Sequence, residues 1–365
     1  MGGVERFTDS LASELVQQGH KVVVVTNDTH HVGVHEISSS GFEVFRLPCW
    51  NVLGGRYPIP IRNADYRFVM HELAARQFDG VLVNTRFYLH SLLGVRIAKR
   101  HGLRAVVLDH GSAYLTLGSP ALDWVIARYE DLVTGHLRRQ PVDFYGISQK
   151  STEWLAHFGV KARGIINNSI DAAAYRAQAS SKSFRSELGI GDELMLAFTG
   201  RFIPEKGIVV LIDMMRRLLG ERVHLVMAGD GPLRGMVEDA KLEAVHLVGR
   251  LDASDIAALL LESDVFCLPT RSEGFSTSLL EAAACGTPSL VPDVGGAREL
   301  MPDDSYGFVT QEADARAFAL IVRRILEGAY DLADMGDRCR CRAEEYCSWD
   351  ATAHKVVEAV CPNRC

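Results

Sequence analysis

Two glutamates, Glu273 and Glu281, stand eight residues apart in the segment RSEGFSTSLLEAAACGTPSLV, which spans residues 271–291. The small residues at 274–278 predict a turn that leads into a short helix, and Gly286 is placed to end that helix. The first turn of a helix has unpaired N–H groups and carries about half a positive charge. We therefore expect the two carboxylates to lie on either side of an anion-binding helix N-terminus.

A phosphate or diphosphate is an anion that such a helix start can bind, and we expect Phe275, Ser276 and Thr277 to hold it. Glu281 follows Thr277 by four residues, so both lie on one helix face, and Glu281 can accept a hydrogen bond from a hydroxyl joined to that phosphate. Glu273 precedes the helix on the other side of the anion. One carboxylate for a ribose and one for a sugar describe a nucleotide-sugar site. The alternative is a helix whose acidic residues only complement its dipole.

The same segment resembles the E-x7-E signature of retaining glycosyltransferases of family four, which have the GT-B fold. Five further stretches resemble motifs of that family in the same order: GGVERF (2–7), DHG (109–111), NNSID (167–171), GRFIPEKG (200–207) and AGDGP (228–232). Ser169 stands where the family usually has glycine. The resemblance covers nearly the whole chain and implies an α/β protein of two Rossmann-like domains that face a central cleft.

The resemblance implies that several residues bind the donor diphosphate. Arg201 and Lys206 correspond to the family's cationic clamp. A leaving nucleoside diphosphate gains negative charge, and two fixed cations stabilise that charge without a metal. Gly2 and Gly3 would let the backbone approach the phosphates closely, since glycine has no Cβ.

The resemblance also implies two catalytic residues, His110 and Glu273. His110 is expected to reach the transferred sugar or the reaction centre. Glu273 is expected to orient sugar hydroxyls and to stabilise positive charge on the sugar ring. Retention in this family is ascribed to a front-face displacement, in which a phosphate oxygen of the leaving group helps to remove the proton of the acceptor.

The ribose and the base are expected to contact a third group of residues. Glu281 would bind the ribose, and Gly229 lies in a tight turn that would wall the base site. Arg250 and Leu251 stand where relatives grip the base, partly through the backbone. Glu299 either contacts the nucleotide or caps a helix, and both readings stay open.

Composition places the chain among soluble globular proteins and limits its partners. It has 365 residues, of which 47% are hydrophobic and 23% charged, and its net charge is −7. A net negative charge disfavours general nucleic-acid binding. No apolar run approaches the roughly 20 residues that a membrane-spanning helix needs.

The eight cysteines do not form the pattern of a secreted disulfide framework in a chain of this length. Five of them cluster near the C-terminus: Cys339, Cys341, Cys347, Cys361 and Cys365. Their spacings raise a zinc hypothesis, but a helix would spread the thiols over different faces. We expect no metal and no cofactor, with a nucleotide sugar as co-substrate.

Short apolar runs alternate with helical patterns, which indicates parallel α/β architecture. The predicted strands are 21–26, 43–47, 80–84, 104–109, 142–147 and 163–167 in the first half, and 194–199, 223–228, 244–248, 264–268, 288–292 and 307–310 in the second. We expect an acceptor-side domain at 1–175, a donor domain at 176–345 and a C-terminal helix at 346–365 that crosses back to the first domain. The polar stretch 177–187 is the predicted linker.

The first strand of the family is expected to be missing from the N-terminal domain. In the family that strand ends in the Gly-Gly loop, whereas here Met1 directly precedes Gly2 and Gly3. To explain the missing strand, a start site assigned too late or a fragment of a longer chain is favoured over a damaged variant. Loss of a central strand would leave apolar surface and unpaired backbone groups on its neighbours.

Together these features predict a retaining, metal-independent hexosyltransferase. Its donor would be a UDP-sugar or GDP-mannose, and its acceptor a glycan or a polyprenol- or lipid-linked sugar of a bacterial cell envelope. Two alternatives remain: a non-catalytic nucleotide-sugar-binding or scaffold subunit, and a GT-B sugar-nucleotide epimerase. A donor-only assay separates the epimerase from the transferase.

The acceptor side is expected in the N-terminal domain, where residues 50–60 form a predicted loop of aromatic, glycine and proline residues. Basic clusters at 96–104 and 136–140 match patches that dock relatives on anionic membranes. The alternative is that they are ordinary solvated helix faces. The expected location is the cytoplasm. If the basic clusters dock on a membrane, the protein would lie at the inner face of the plasma membrane.

Overall fold

A computed structural model describes residues 3–52, 57–116 and 118–362. The chain divides into two units, each with its own core. Unit 1 comprises Met1–Asn167 and Trp349–Cys365, and unit 2 comprises Asn168–Ser348.

Helices and strands alternate through both units. The elements of the first segment of unit 1 are α1 Gly3–Gln17, β1 Val23–Asn27, β2 His35–Ile37, β3 Glu43–Leu47, β4 Cys49–Val52, β5 Tyr57–Pro60, α2 Ala64–Ala75, β6 Leu82–Asn84, α3 Leu89–Arg100, β7 Ala105–Asp109, α4 Pro120–Leu137, β8 Val142–Gly146, α5 Gln149–His157 and β9 Gly164–Ile165. The elements of unit 2 are α6 Ala172–Ala177, α7 Phe184–Leu188, β10 Leu194–Thr199, a 3-10 turn Pro204–Lys206, α8 Ile208–Arg217, β11 Val223–Ala228, α9 Arg234–Asp239, β12 Val245–Gly249, α10 Ala253–Glu262, β13 Val265–Cys267, α11 Thr277–Cys285, β14 Ser289–Pro292, α12 Ala297–Leu300, β15 Phe308–Thr310, α13 Ala315–Leu326 and α14 Leu332–Tyr346. The last helix, α15 Trp349–Val360, belongs to unit 1.

Unit 2 is built on one sheet of six parallel strands in the order β12-β11-β10-β13-β14-β15. All residues of β13 and β14 are buried, and so are five of the six residues of β10. Strands that are covered on both faces read as continuous apolar runs, and this explains why their positions could be predicted from the sequence.

Among its described residues, unit 1 contains two separate sheets and a hairpin. Strands β6-β7-β8-β9 form a four-stranded parallel sheet, and β1-β3-β2 form a three-stranded sheet in which β2 is antiparallel. Helix α1 begins at Gly3, which is the first described residue. All five residues of β7 are buried, whereas all five residues of β1 are half-buried, although β1 reads VVVTN.

Helices α1 and α3 connect the two sheets of unit 1. On α1, Ala12 packs with Val22 and Val24 beside β3, while Thr8 accepts a hydrogen bond from Asn84 of β6. On α3, Leu93 and Ile97 pack in the core of the three-stranded sheet.

The same helix α3 also contacts the four-stranded sheet. A Cβ added at Gly94 would lie 2.7 Å from Val83 of β6, so helix and strand touch closely there. At the start of α3, His90 Nε2 lies 2.8 Å from the carbonyl oxygen of Val25 in β1. A side chain therefore satisfies a backbone group at the edge of β1.

Two segments differ from the sequence prediction. Residues 50–60, predicted as a loop, contain the antiparallel hairpin of β4 and β5, with 53–56 outside the described residues. The predicted linker 177–187 lies inside unit 2, where Ser183 caps α7 and Phe184 is buried. Across the described ranges, none of the helices has the combined length and hydrophobicity that crossing a membrane requires.

Candidate functional site

The topology of unit 2 places its candidate site at one edge of the sheet. From β10 the chain continues to β11 and β12 on one side, whereas β13, β14 and β15 lie on the other. In open parallel sheets, ligands bind beyond the carboxyl ends of the strands at such a reversal of strand order. Residues 200–207 follow β10 and residues 268–276 follow β13, so both loops lie at this switch point.

Lys206 and Glu273 form an ion pair at the switch point, in which Lys206 Nζ donates to Glu273 Oε1. The pair is largely shielded, since the two side chains are 21% and 17% exposed. The fully buried Thr270 places its hydroxyl 3.2 Å from the same carboxylate oxygen and 3.1 Å from the carbonyl oxygen of Glu205. The predicted cation and the predicted catalytic carboxylate are therefore held together by contacts between the loops after β10 and β13.

Glycines let these loops pack backbone against backbone. Gly207 has φ +73°, and a Cβ there would lie 2.0 Å from the carbonyl oxygen of Pro269. A Cβ on Gly295, in the loop after β14, would lie 2.1 Å from the carbonyl oxygen of Gly274 and 2.2 Å from that of Glu273. The turn that carries Glu273 is thus fixed from two sides by residues that tolerate no side chain.

Helix α11 begins directly after this turn, as the sequence predicted. Ser276 is its N-cap and accepts a hydrogen bond from the backbone N–H of Leu279 at 3.3 Å. Phe275 is buried, and the backbone N–H of Thr277, in the first turn, has no intrahelical partner. Gly286, with φ +75°, ends the helix as expected. The positive end of α11 therefore follows Glu273 in the chain by three residues.

Glu281 lies one turn further along α11 and is half-buried. Arg201 is exposed in the loop after β10. Arg250 is 81% exposed, and its Nε lies 3.7 Å from a carboxylate oxygen of Asp230. Leu251, half-buried, follows Arg250 after β12. These side chains stand at the same sheet edge as Lys206 and Glu273.

Gly229 lies in the loop after β11 and has φ +142°. A Cβ there would lie 1.8 Å from the carbonyl oxygen of Gly200, so the loops after β10 and β11 touch through their backbones. Its N–H donates to the carbonyl of Gly249 at 2.7 Å, which joins the loop to the end of β12. Gly229 therefore holds the three loops of this half of the sheet together.

His110 is placed by unit 1, directly after β7. Its Nε2 lies 2.9 Å from Asn84 Oδ1, and Asn84 Nδ2 donates to Thr8 Oγ1 at 2.9 Å. With the amide in this orientation Asn84 Oδ1 can only accept, so Nε2 carries the proton and Nδ1 is the acceptor. The ring of Phe7 packs edge-on against the imidazole, with centroids 4.9 Å apart.

Burial lowers the pKa of His110 to about 3. The imidazole is therefore neutral near pH 7, and it offers a lone pair on Nδ1 rather than a charge. This state suits hydrogen bonding to a hydroxyl group better than proton donation.

Sequence reasoning missed Asn84 and Thr8. A signal existed for Asn84, because it is the last residue of a predicted strand and the carboxyl ends of parallel strands carry functional side chains. Of the predicted glycines, Gly3 is the first residue of α1, whereas Gly2 lies outside the described residues.

The C-terminal cysteines are spread apart by helix α14 and its end. Cys339 and Cys347 are buried, whereas Cys341 is exposed. Over residues 3–52, 57–116 and 118–362, no group of three or more His, Cys, Asp or Glu side chains is arranged to hold a metal ion. Cys365 lies outside these ranges.

Two family descriptions match adjacent parts of the chain. Residues 1–174 match Glycosyltransferase Family 4, and residues 180–343 match Glycosyl transferases group 1. An uncharacterized glycosyltransferase of Methanocaldococcus jannaschii is 23% identical over 327 residues, which cover 86% of this chain and 82% of the relative. The D-inositol 3-phosphate glycosyltransferase of Kineococcus radiotolerans is 27% identical, with 98% and 89% covered.

The fold is shared with solved structures of the GT-B type. The crystal structure of Anabaena HepE in complex with UDP-glucose superposes with a TM-score of 0.70 at 20% identity, and the match covers 98% of this chain and 95% of that one. The predicted fold class, an α/β protein of the GT-B type, is thereby confirmed.

Proposed function

The chain belongs to the family 4 glycosyltransferases, and we propose that it is a retaining hexosyltransferase that uses a UDP-sugar or GDP-mannose. The observation that carries this proposal is the Lys206–Glu273 pair at the switch point of unit 2, next to the N-terminus of α11. A cation and a helix start can bind the diphosphate, and the carboxylate can bind the sugar, so the three groups match both parts of a sugar joined to a diphosphate.

Each group of the pair has a distinct task in this proposal. Lys206, with Arg201 on the same loop, binds the diphosphate and stabilises the charge that grows as the bond to the sugar breaks. The N–H groups at Thr277 and its neighbours bind the same anion. Once Lys206 turns to the diphosphate, Glu273 is left to orient sugar hydroxyls and to stabilise positive charge on the ring. No divalent metal is needed for this division of labour.

The proposed reaction retains the anomeric configuration. The bond between the anomeric carbon and the diphosphate oxygen breaks, and the acceptor oxygen bonds to the same face of that carbon. The proton of the acceptor hydroxyl passes to an oxygen of the leaving diphosphate. His110 accepts a hydrogen bond from a sugar hydroxyl through Nδ1 and, being neutral, is not the proton donor.

The nucleoside is proposed to lie against the half of the sheet that ends in β11 and β12. Glu281 binds the ribose hydroxyls, and Gly229 with Arg250 and Leu251 forms the surroundings of the base. A UDP-sugar is supported by the solved structure of HepE, which holds UDP-glucose. A guanine nucleotide is the alternative, and comparing the binding of UDP with that of GDP decides between the two bases.

We further propose that the acceptor is a glycan or a polyprenol- or lipid-linked sugar of a bacterial envelope, reached from the cytoplasmic face of the plasma membrane. Two features of unit 1 support peripheral contact with an anionic membrane. Arg96, Lys99 and Arg100 are exposed on α3. Helix α4 exposes large apolar side chains, among them Trp124 at 65% and Leu132 at 74%. Exposed basic groups and exposed aromatic and aliphatic groups are both typical of surfaces that bind a membrane interface.

The test combines donor binding with turnover. UDP, GDP and their sugars are titrated by calorimetry, and release of nucleotide from the bound donor is followed with and without glycan acceptors. We expect Glu273→Ala and Lys206→Ala each to lower turnover about 100- to 1,000-fold. Only Lys206→Ala should also weaken binding of the free nucleoside diphosphate, because Glu273 is assigned to the sugar.

Lys182→Ala is the matched control. Lys182 also pairs with a carboxylate in unit 2, Asp255 at 3.7 Å, but lies outside the loops after β10 and β13. It should behave as wild type. Near-normal turnover by folded Glu273→Ala or Lys206→Ala protein would sink the assignment. Sugar epimerisation in the absence of any acceptor would replace it by the epimerase alternative.

A further inference from the structure

A buried triad of charged side chains lies next to His110 in unit 1. The Nη1 of Arg86 donates to both carboxylate oxygens of Asp109, at 3.0 and 3.2 Å, and Nη2 donates to Glu130 Oε2 at 2.7 Å. All three side chains are at most 1% exposed. The guanidinium also lies over the ring of Phe158, 4.3 Å from its centroid.

The two carboxylates reach the backbone of the loop that carries the histidine. Asp109 accepts hydrogen bonds from the backbone N–H groups of the two residues that follow it. Glu130 uses its other oxygen, Oε1, to accept from the backbone N–H of Leu115 at 2.9 Å. Arg86 therefore connects the first and the last part of loop 110–115 through one guanidinium group.

Packing alone does not explain this arrangement. The three side chains are shut off from solvent, and this burial raises the pKa of Asp109 to about 6 and also raises the pKa of Glu130. Apolar side chains of similar volume often stabilise a core as well as a buried ion pair does. What they cannot supply is acceptors for backbone N–H groups at both ends of a loop.

We propose that Arg86, Asp109 and Glu130 are positioning residues that fix both ends of loop 110–115 and thereby set the orientation of the His110 imidazole toward the sugar. The inference rests on the proposed function for the role of His110, but the contacts themselves do not depend on it. Asn84 holds Nε2 of the same ring, so the triad and Asn84 together fix the direction in which Nδ1 points.

The experiment uses the full-length protein and measures hydrogen exchange of loop 110–115 by mass spectrometry. In Arg86→Met the loop amides should exchange at least tenfold faster, while β7 keeps its protection. In the same variant kcat for sugar transfer should fall at least tenfold, with the Kd for UDP changed less than twofold, because UDP is assigned to unit 2. Arg104→Met is the control, since Arg104 also pairs with an aspartate in unit 1 but is 56% exposed.

Glu130→Met and Glu130→Gln keep the test decisive if Arg86→Met does not fold. Glu130→Met removes the acceptor for Leu115 and should loosen the loop, whereas Glu130→Gln keeps an acceptor oxygen and should restore exchange to within threefold of wild type. Wild-type loop exchange in folded Arg86→Met or Glu130→Met protein would overturn the proposal. Faster exchange with unchanged kcat would overturn the positioning role. A wild-type protein without any transferase activity would sink the proposed function, while the exchange result still decides on the loop.

Discussion

Replacing Gly295 by alanine places a methyl group where two backbone carbonyl oxygens already lie. The added Cβ would be 2.1 Å from the oxygen of Gly274 and 2.2 Å from that of Glu273, whereas real Cβ contacts stay beyond 3.0 Å. Both neighbours are backbone atoms, so neither can swing away as a flexible side chain would. The turn that carries Glu273 must therefore move by about 1 Å relative to the loop after β14.

This displacement sets the expected magnitudes. Overpacking of this kind lowers the free energy of unfolding by about 1–3 kcal/mol. A shift of about 1 Å in a positioned catalytic group lowers kcat by about 100-fold. Binding of UDP should weaken much less. Lys206 belongs to the loop after β10, whereas the atoms nearest the added Cβ are backbone atoms of Gly274 and Glu273.

The assay compares Gly295→Ala with Gly235→Ala, another glycine-to-alanine change in unit 2. Gly235 lies in α9, and a Cβ there meets nothing within 4 Å. The control should be more stable by about 0.5–1 kcal/mol, because alanine favours the helix, and its kcat should be unchanged. Urea denaturation gives the stability, and donor turnover at saturation gives kcat. A folded Gly295→Ala protein with kcat within twofold of wild type would refute the reasoning that the Glu273 turn is fixed by this contact.

Three further predictions concern the other contacts of the two candidate sites. Asn84→Leu removes the partner of His110 Nε2, so we expect kcat to fall about tenfold or more and the imidazole nitrogen NMR shifts to lose the signature of a single tautomer; an unchanged spectrum would contradict the hydrogen bond. The pKa of His110 is about 3 in the folded protein, below the ordinary value of 6.5, so the stability it contributes is complete above pH 6.5 and is lost as the pH falls toward 3. When the pH falls from 7 to 5, the free energy of unfolding measured with urea should therefore decrease by up to about 2 kcal/mol more for the wild type than for His110→Gln. Equal decreases in the two proteins would contradict the burial of this ring. Ser276→Ala removes the cap of α11 and should lower the free energy of unfolding by about 1 kcal/mol, whereas Ser305→Ala, which removes a solvent-exposed hydrogen bond to Asp303 in a turn, should lower it much less.

The sequence was sufficient to predict unit 2 in some detail. Strands β10, β13 and β14 are buried on both faces, so their apolar runs identify them without knowledge of their neighbours. Parallel strands end at the same edge, and residues directly after them meet there. The contact between Lys206 and Glu273 is of this kind, although the two residues are 67 positions apart.

The contacts of unit 1 were less accessible because they depend on tertiary packing. An arginine is exposed in most proteins, and nothing local indicates that Arg86 is fully buried between two carboxylates. Asn84 and His110 meet only because β6 pairs with β7. The segment of the β4–β5 hairpin is rich in proline and glycine, which are uncommon in strands, so its sequence pattern does not indicate strands. In the structure β4 and β5 nevertheless pair with each other.

The two sheets of unit 1 also have a consequence for how this unit opens. A continuous sheet couples its strands through a ladder of backbone hydrogen bonds, so the strands gain and lose structure together. Within the described residues, β1 and β6 share no such ladder, and the coupling between the sheets depends on side chains of α1 and α3. For the described residues we therefore expect the segment from β1 to β3 to open locally at a lower free energy than global unfolding, which amide hydrogen exchange would measure. Opening of that segment would leave β7, and with it the strand that presents His110, in place.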